Sequence, residues 1–249
     1  MELNQQIINT HRETSTSSFE QHYIRLRSRE GRMFTDEELT LLPDVVSTHR
    51  YANEWKIRKR SALRLQQYFR QKKGYWKILE AGCGNGWLSH LLATGSQHFI
   101  TGADINDAEL QQAKRVFGNP PNLLFISGSL DHPAVSSEKY EAIFFASSIQ
   151  YFESLKALIA QSCKLLKPGG ELHLLDSPIY HRKDLPAARE RTKHYFEASG
   201  VPGMSAYYFH HSWDDLAGLP FTVLSKPVNR IRLFNRTQDP FPWIRIQMT

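Results

Sequence analysis

"ILEAGCGNGWLS", residues 78–89, joins a short apolar run to an acid, then to three glycines on alternate positions, and returns to helix-forming residues. A strand that ends in such a turn and re-enters a helix opens a parallel α/β unit, with a ligand-sized notch at the strand's carboxyl end. From residue 76 onward the chain keeps that beat. "WKILEA", "HFITGAD", "NLLFISG", "YEAIFFAS" and "ELHLLD" read as five strands. Helical patterns separate them. "GWLSHLLAT" follows the glycine turn. Residues 106–118 have Asn106 as cap, Glu109 placed to reach back, and Gly118 as stop. Residues 153–166 set Leu155, Leu158, Ile159, Ser162 and Leu166 on one side, and "KPGG" at 167–170 is expected to break that helix before the fifth strand. A further helix capped by Asp184 spans 184–200, and "FTVLS" and "FPWIRIQM", joined by a loop containing Pro and Asn, complete seven strands of a mostly parallel sheet. His173, inside the fifth strand, reads as a satisfied histidine without a chemical role.

Before residue 76 the pattern is helical. Residues 52–70 carry Trp55, Ala62, Leu65 and Phe69 at helical spacing, and "FTDEELTLLPD" is a shorter helix ended by Pro43. The expected organisation is a helical extension or cap over 1–51 and a main domain over 52–249. The Ser/Thr-rich "TSTSS" near the start is expected to be mobile.

With 249 residues and 41% hydrophobic content, the chain can bury one substantial core. It opens without a basic-then-apolar leader and has no apolar run of bilayer length, so a cytoplasmic protein with no membrane partner is expected. Its two cysteines, Cys83 and Cys163, have neither metal-ligand nor disulfide spacing, and no metal site is expected. The net charge of +6 sits mostly in "YIRLRSREGR" and "KIRKRSALR". That excess suits an anionic partner such as RNA, but no block of five like charges occurs, which favours a solvated helix face.

Three ligands compete for the glycine turn. In the dinucleotide fingerprint the third glycine lets helix and strand pack closely, and here Trp87 stands in that place. A triphosphate loop needs Lys followed by Ser or Thr after its last glycine, and "NGWLS" has neither in position. Glu80, two residues before Gly82, aims a carboxylate into the mouth of the turn, where it repels phosphate and attracts an ammonium group. Asp104, ending the second strand, can accept hydrogen bonds from both hydroxyls of a ribose. An amine near Glu80 and a ribose near Asp104 together describe S-adenosylmethionine.

On these residues the chain resembles the class I S-adenosylmethionine-dependent methyltransferases, over about residues 52–249. The resemblance implies a Rossmann-like α/β fold and S-adenosylmethionine as cofactor. It also implies that Glu80, Gly82, Gly84, Asn85 and Gly86 hold the methionine part, with Ala146 and Ser147 lining the same side. Asp104 and Ile105 would hold the ribose, and Ser129 and Leu130 would flank the adenine. Many members carry Asp where Ser129 stands, so a hydroxyl or neighbouring amides take over that contact here. "LLKPGGELHLLD" is similar to the family's entry into its fifth strand.

Methyl transfer from a sulfonium needs alignment and exclusion of water more than a dedicated catalytic group, although a base helps when the acceptor is a hydroxyl or a protonated amine. The candidate catalytic residues are His210 and His211, walled by Tyr207 and Tyr208, and Tyr151, which with Gln150 follows the fourth strand. Ser212 with Asp215 also reads as a capping box. The adenine-N6 type of the family has an Asn-Pro-Pro-aromatic turn after the fourth strand, where this chain has "SSIQ", and "NPPN" at 119–122 lies before the third strand. Neither cysteine is placed as a cytosine-C5 nucleophile. The expected partner is a small organic acceptor methylated on oxygen or nitrogen. An RNA methyltransferase using the basic N-terminal third is the alternative, as is a non-catalytic S-adenosylmethionine-binding regulatory module. No feature of the sequence specifies an oligomeric state.

Overall fold

Alternation along the strands decides the layers. Ile78, Ile100, Ala142 and Phe144 point into one core, while Leu79, Ala103, Ile143 and Phe145 point into the other. In the computed structural model, which describes residues 18–226 and 239–247, nine strands result. They are β1 (Lys77–Ala81), β2 (Phe99–Asp104), β3 (Leu123–Ser127), β4 (Tyr140–Ala146), β5 (Leu166–Leu175), β6 (Ile179–Tyr180), β7 (His211–Ser212), β8 (Phe221–Ser225) and β9 (Trp243–Gln247). Seven of them form one sheet in the order β3-β2-β1-β4-β5-β9-β8, in which β9 alone runs antiparallel to its neighbours. β6 and β7 form a separate parallel pair. Most of the Ser/Thr-rich stretch and most of the loop before β9 lie outside the described residues.

Helices cover both faces. α1 runs over 18–30, α2 over Asp36–Thr40, α3 over Ala52–Arg70, α4 over Trp87–Thr94, α5 over Asp107–Phe117, α6 over Pro133–Ser136, α7 over Leu155–Leu165 and α8 over Leu185–Ala198. On one face α3, α4 and α5 bury the expected helical rows, among them Trp55, Leu65 and Phe69 from α3 and Leu110, Ala113 and Phe117 from α5. On the other, α7 buries Leu155, Leu158 and Ile159. A third cluster, Leu26, Phe196, Val201 and Met204, ties α1 to α8. No helix among the described residues is long and apolar enough to cross a membrane.

Three local expectations are amended. "KPGG" lies within β5, which begins at Leu166: Leu166 pairs with Tyr140, the register shifts, and Glu171 then pairs with Ala142. The glycines therefore form an irregularity at the start of an interior strand, and Leu165 instead of Leu166 completes the buried side of α7. Asp184 precedes α8 without a side-chain cap bond, because a short 3-10 turn over Arg182–Asp184 leads into that helix. His173 is fully buried, accepts from Trp243 Nε1 at 3.2 Å and lies 3.3 Å from Glu171, the satisfied role the sequence suggested.

Phe69, 1% exposed, plugs α3 onto the sheet against Phe144 and His173. Phe69→Ala is expected to cost about 3–5 kcal/mol, the usual range for a buried aromatic truncated in a packed core. Urea denaturation followed by far-UV circular dichroism measures it.

Candidate active site

The strand order reverses between β1 and β4, and the crevice at their carboxyl ends is where such sheets bind ligands. The glycine turn builds its floor. Gly82 has φ +77°, and a Cβ there would stand 2.6 Å from Ser148 Cβ, so only glycine lets the turn pass under the β4 loop. Gly82 and Cys83 donate their amides to Ala103 O at 2.8 and 3.1 Å, which locks the turn to β2. Asp104 completes the lock: Oδ2 accepts from Gly84 N at 2.7 Å, and Oδ1 accepts from Asn106 N at 2.8 Å.

Buried carboxylates dominate the electrostatics. Glu80 is 3% exposed and accepts a 2.5 Å hydrogen bond from Ser89 Oγ. Burial pushes its carboxyl up to about 8, against the opposing pull of Ser89. Burial also raises Asp104, despite its backbone donors, and Glu109, despite Arg27. Arg27 comes within 3.8 Å of Glu109. Asp176, at the tip of β5, is held up at about 6 by burial, with Ser61 and Arg58 opposing. Both Asp176 and Ser147, at the tips of neighbouring strands, carry positive φ, +56° and +58°.

Three cavities meet over this floor. The first, about 290 Å³, is bounded by Asp104, Ile105, Ser129 and Leu130 below and by Phe19 and Tyr23 of α1 above. The second, about 100 Å³, holds Glu80, Asn85, Ala146, Arg58 and Asp176. The third, about 460 Å³, lies between α1 and α8. Tyr151 lines all three. Burial raises its phenol, so it stays protonated at neutral pH. The first two cavities suit S-adenosylmethionine on this structure's own terms, since burial resists ionisation of the acids lining them and no cation among the described residues forms an ion pair with Glu80.

Of the residues the sequence nominated, Glu80, Gly82, Gly84, Asn85, Asp104, Ile105, Ser129, Leu130, Ala146 and Tyr151 line these cavities. Gly86 does not. It caps α4 at φ +73°, where a Cβ would meet the Phe125 ring at 2.6 Å, so its role is to let helix and β3 side chains close up. His210 and His211 do not line the cavities either. His211 is 4% exposed, and its Nε2 donates to Ile149 O at 2.9 Å, since a carbonyl can only accept. His210 turns to Thr192, whose Oγ1 is 2.9 Å from its Nε2, and packs on Tyr180 and Tyr208. The Ser212–Asp215 capping box is present.

Sequence reasoning missed the roof. Phe19, Tyr23 and Arg27 repeat every four residues along one face of α1, a legible row, but nothing in the sequence tells where that face lands. Glu109 was assigned to the cap of α5. Asn106 does accept from Glu109 N, while the Glu109 side chain turns to the Arg27 guanidinium and to Tyr23.

Residues 78–170 match the family described as "Methyltransferase domain". A malonyl-[acyl-carrier protein] O-methyltransferase of Halalkalibacterium halodurans is 28% identical, over 56% of this chain and 55% of its own. A probable thiol methyltransferase of Arabidopsis thaliana is 33% identical, over 44% of this chain and 50% of its own. The chain spans about half the length of these curated relatives. Among solved structures, magnesium protoporphyrin IX methyltransferase of Synechocystis PCC 6803 superposes with a TM-score of 0.57 at 16% identity, covering 91% of this chain and 94% of its own, which supports the common fold.

Glu80 titrates near 8 in the folded chain, above the ordinary 4.5, so folding favours its protonated form. That stabilising contribution is complete below the unfolded value and is lost as pH rises through the folded one. A cation seated on Glu80 favours the ionised form. S-adenosylhomocysteine, which keeps the ammonium group, is therefore expected to bind more tightly as pH rises toward 8, roughly tenfold per unit. Glu80→Gln should flatten that slope. Calorimetric titrations across the range measure both.

Proposed function

The chain carries a class I S-adenosylmethionine-dependent methyltransferase domain, and from that premise we propose that the protein methylates an oxygen or nitrogen of a small organic acceptor by in-line displacement. One observation carries this reading: the cofactor cleft opens at Tyr151 onto a walled cavity of about 460 Å³, within the range of small-molecule sites. The relatives are named for O-methylation of a malonyl-[acyl-carrier protein] and for thiol methylation, and the first supports oxygen as the methylated atom.

The cofactor supplies a methyl group already activated on a positive sulfur. Glu80 would receive the ammonium and Asp104 the ribose hydroxyls, while Ile105, Ser129 and Leu130 would border the base. Arg58, held by Glu54 at 3.0 Å and reaching Ser147 Oγ at 3.3 Å, faces the second cavity and meets the carboxylate. Tyr151 shields the point of transfer from water and, being protonated, donates a hydrogen bond there. The bound cofactor would supply this methyl to the acceptor's lone pair, and this chain's part is to align the two, keep water out and take up the acceptor's proton. Of the two histidines, only His210 keeps a link to the acceptor cavity, through Thr192, so proton uptake by an imidazole falls to it.

The basic N-terminal third, which suggested RNA, is largely engaged within the protein. Arg32 grips Glu54 at 2.6 and 2.7 Å, Lys59 pairs with Asp44, and Arg60 and Arg64 both pair with Asp239. Paired cations of this kind release few counterions on contact with a nucleic acid, which favours the small-molecule reading.

Incubation with methyl-labelled S-adenosylmethionine and a metabolite extract is expected to place label in small molecules. Asp104→Ala should lower that rate by about 100-fold or more, since it removes an acceptor of the cofactor and unpairs Gly84 N–H. Label confined to macromolecules would overturn the proposal.

A further inference from the structure

The third cavity is asymmetric in charge. Four guanidinium groups, Arg27, Arg32, Arg58 and Arg191, border it against two carboxylates, Glu30 and Glu54. Both acids are already claimed. Glu54 takes two bonds from Arg32 and one from Arg58, which outweigh its burial and hold it at about 2. Glu30 lies 3.1 Å from Arg32 Nε and accepts from the Tyr195 hydroxyl. Arg32 is spent on these contacts and on the Tyr51 ring, 3.7 Å below it. Arg58 belongs to the cofactor side. Two cations are left facing the cavity from opposite walls, Arg27 on α1 and Arg191 on α8.

Arg27 is the more telling. Its Nε is buried without a hydrogen-bond partner, and the nearest acid, Glu109, stands 3.8 Å away, beyond hydrogen-bond reach. A buried N–H left in that state inside a protein is costly, and an anion entering the cavity that Arg27 lines would relieve it. Arg191 is exposed and hydrogen-bonds the Tyr180 hydroxyl, which leaves its fork able to swing to an occupant. Between them the walls are aromatic: Tyr151, Tyr208 and the buried Phe196.

Building on the methyltransferase reading above, we infer that the acceptor is a small acid with a flat or apolar body, whose carboxylate or phosphate is held by Arg27 and Arg191. The acidic group is the handle and not the methylated atom. A guanidinium on an oxyanion draws off the electron density that attack on the methyl requires, so the nucleophile is a different oxygen or nitrogen, presented at Tyr151. The product of the transfer accordingly keeps its negative charge.

The labelled extract from the methyl-transfer assay tests this when its small-molecule fraction is passed over an anion exchanger at neutral pH. Retained label, stable to mild alkali, is the expected result. Treatment with phosphatase then separates the two handles: label that loses retention came from a phosphate, and label that keeps it came from a carboxylate. Label in the unretained fraction, or label freed by mild alkali as a methyl ester, overturns the inference and leaves methyl transfer to a small molecule standing. Absence of label from all small molecules overturns both. A second arm uses the S-adenosylhomocysteine-loaded protein with benzoate, phenyl phosphate and benzamide as probes. At least one of the two anions should bind at least tenfold more tightly than the amide. Arg191→Gln, on an exposed helix face, and Arg27→Gln should each erase that preference, with Arg191→Gln leaving S-adenosylhomocysteine affinity within about threefold. Equal binding of amide and anions, or a preference intact in both variants, also overturns the inference.

Discussion

Glu80 and Asp104 stand at the tips of two adjacent parallel strands, Glu80 buried and Asp104 half-buried, and no cation among the described residues forms an ion pair with Glu80. Placing acids there is unfavourable for the empty protein, since burial resists their ionisation. The rest of the cleft answers that constraint. Ser89 and the Gly84 and Asn106 amides direct hydrogen bonds at the two carboxyls, and the glycine turn brings the Gly84 amide within reach. What remains is a pair of carboxyls whose ionisation a ligand with a positive end and a diol would favour.

The two faces of the sheet were readable because the physics that forms them is local. Alternating apolar residues in β1, β2 and β4 and helical rows such as Leu110, Ala113 and Phe117 specify burial by periodicity alone. The lining of the cleft over the glycine turn was readable for a similar reason, as its residues lie at strand ends and the topology puts strand ends together. The lining of the third cavity was not. Arg27, Tyr23 and Arg191 sit on helices whose docking depends on the third hydrophobic cluster, and contacts between residues far apart in sequence leave no periodic trace. The histidines illustrate the same gap. "FHHS" announces chemistry by residue type, yet backbone geometry committed His211 to Ile149 O and turned His210 to Thr192.

Charge behaved likewise. A count of lysines and arginines shows an excess in the first third of the chain, but it does not show which of them are matched. Arg32, Lys59, Arg60 and Arg64 find acids 15 to 179 residues away in sequence, which converts an apparent basic surface into struts that fasten α3 to its surroundings. Arg27, turned inward, keeps a buried Nε without a hydrogen-bond partner.

Ser147 and Asp176 sit in left-handed backbone conformations at the ends of β4 and β5, a region that costs most side chains ~1–2 kcal/mol and aspartate less. The chain therefore tolerates a penalty, greater at Ser147 than at Asp176, at the two places where its loops leave the sheet. Glycine at either position would relax the backbone and raise thermal resistance while loosening the walls of the crevice, so resilience and turnover are set against each other at these two hinges.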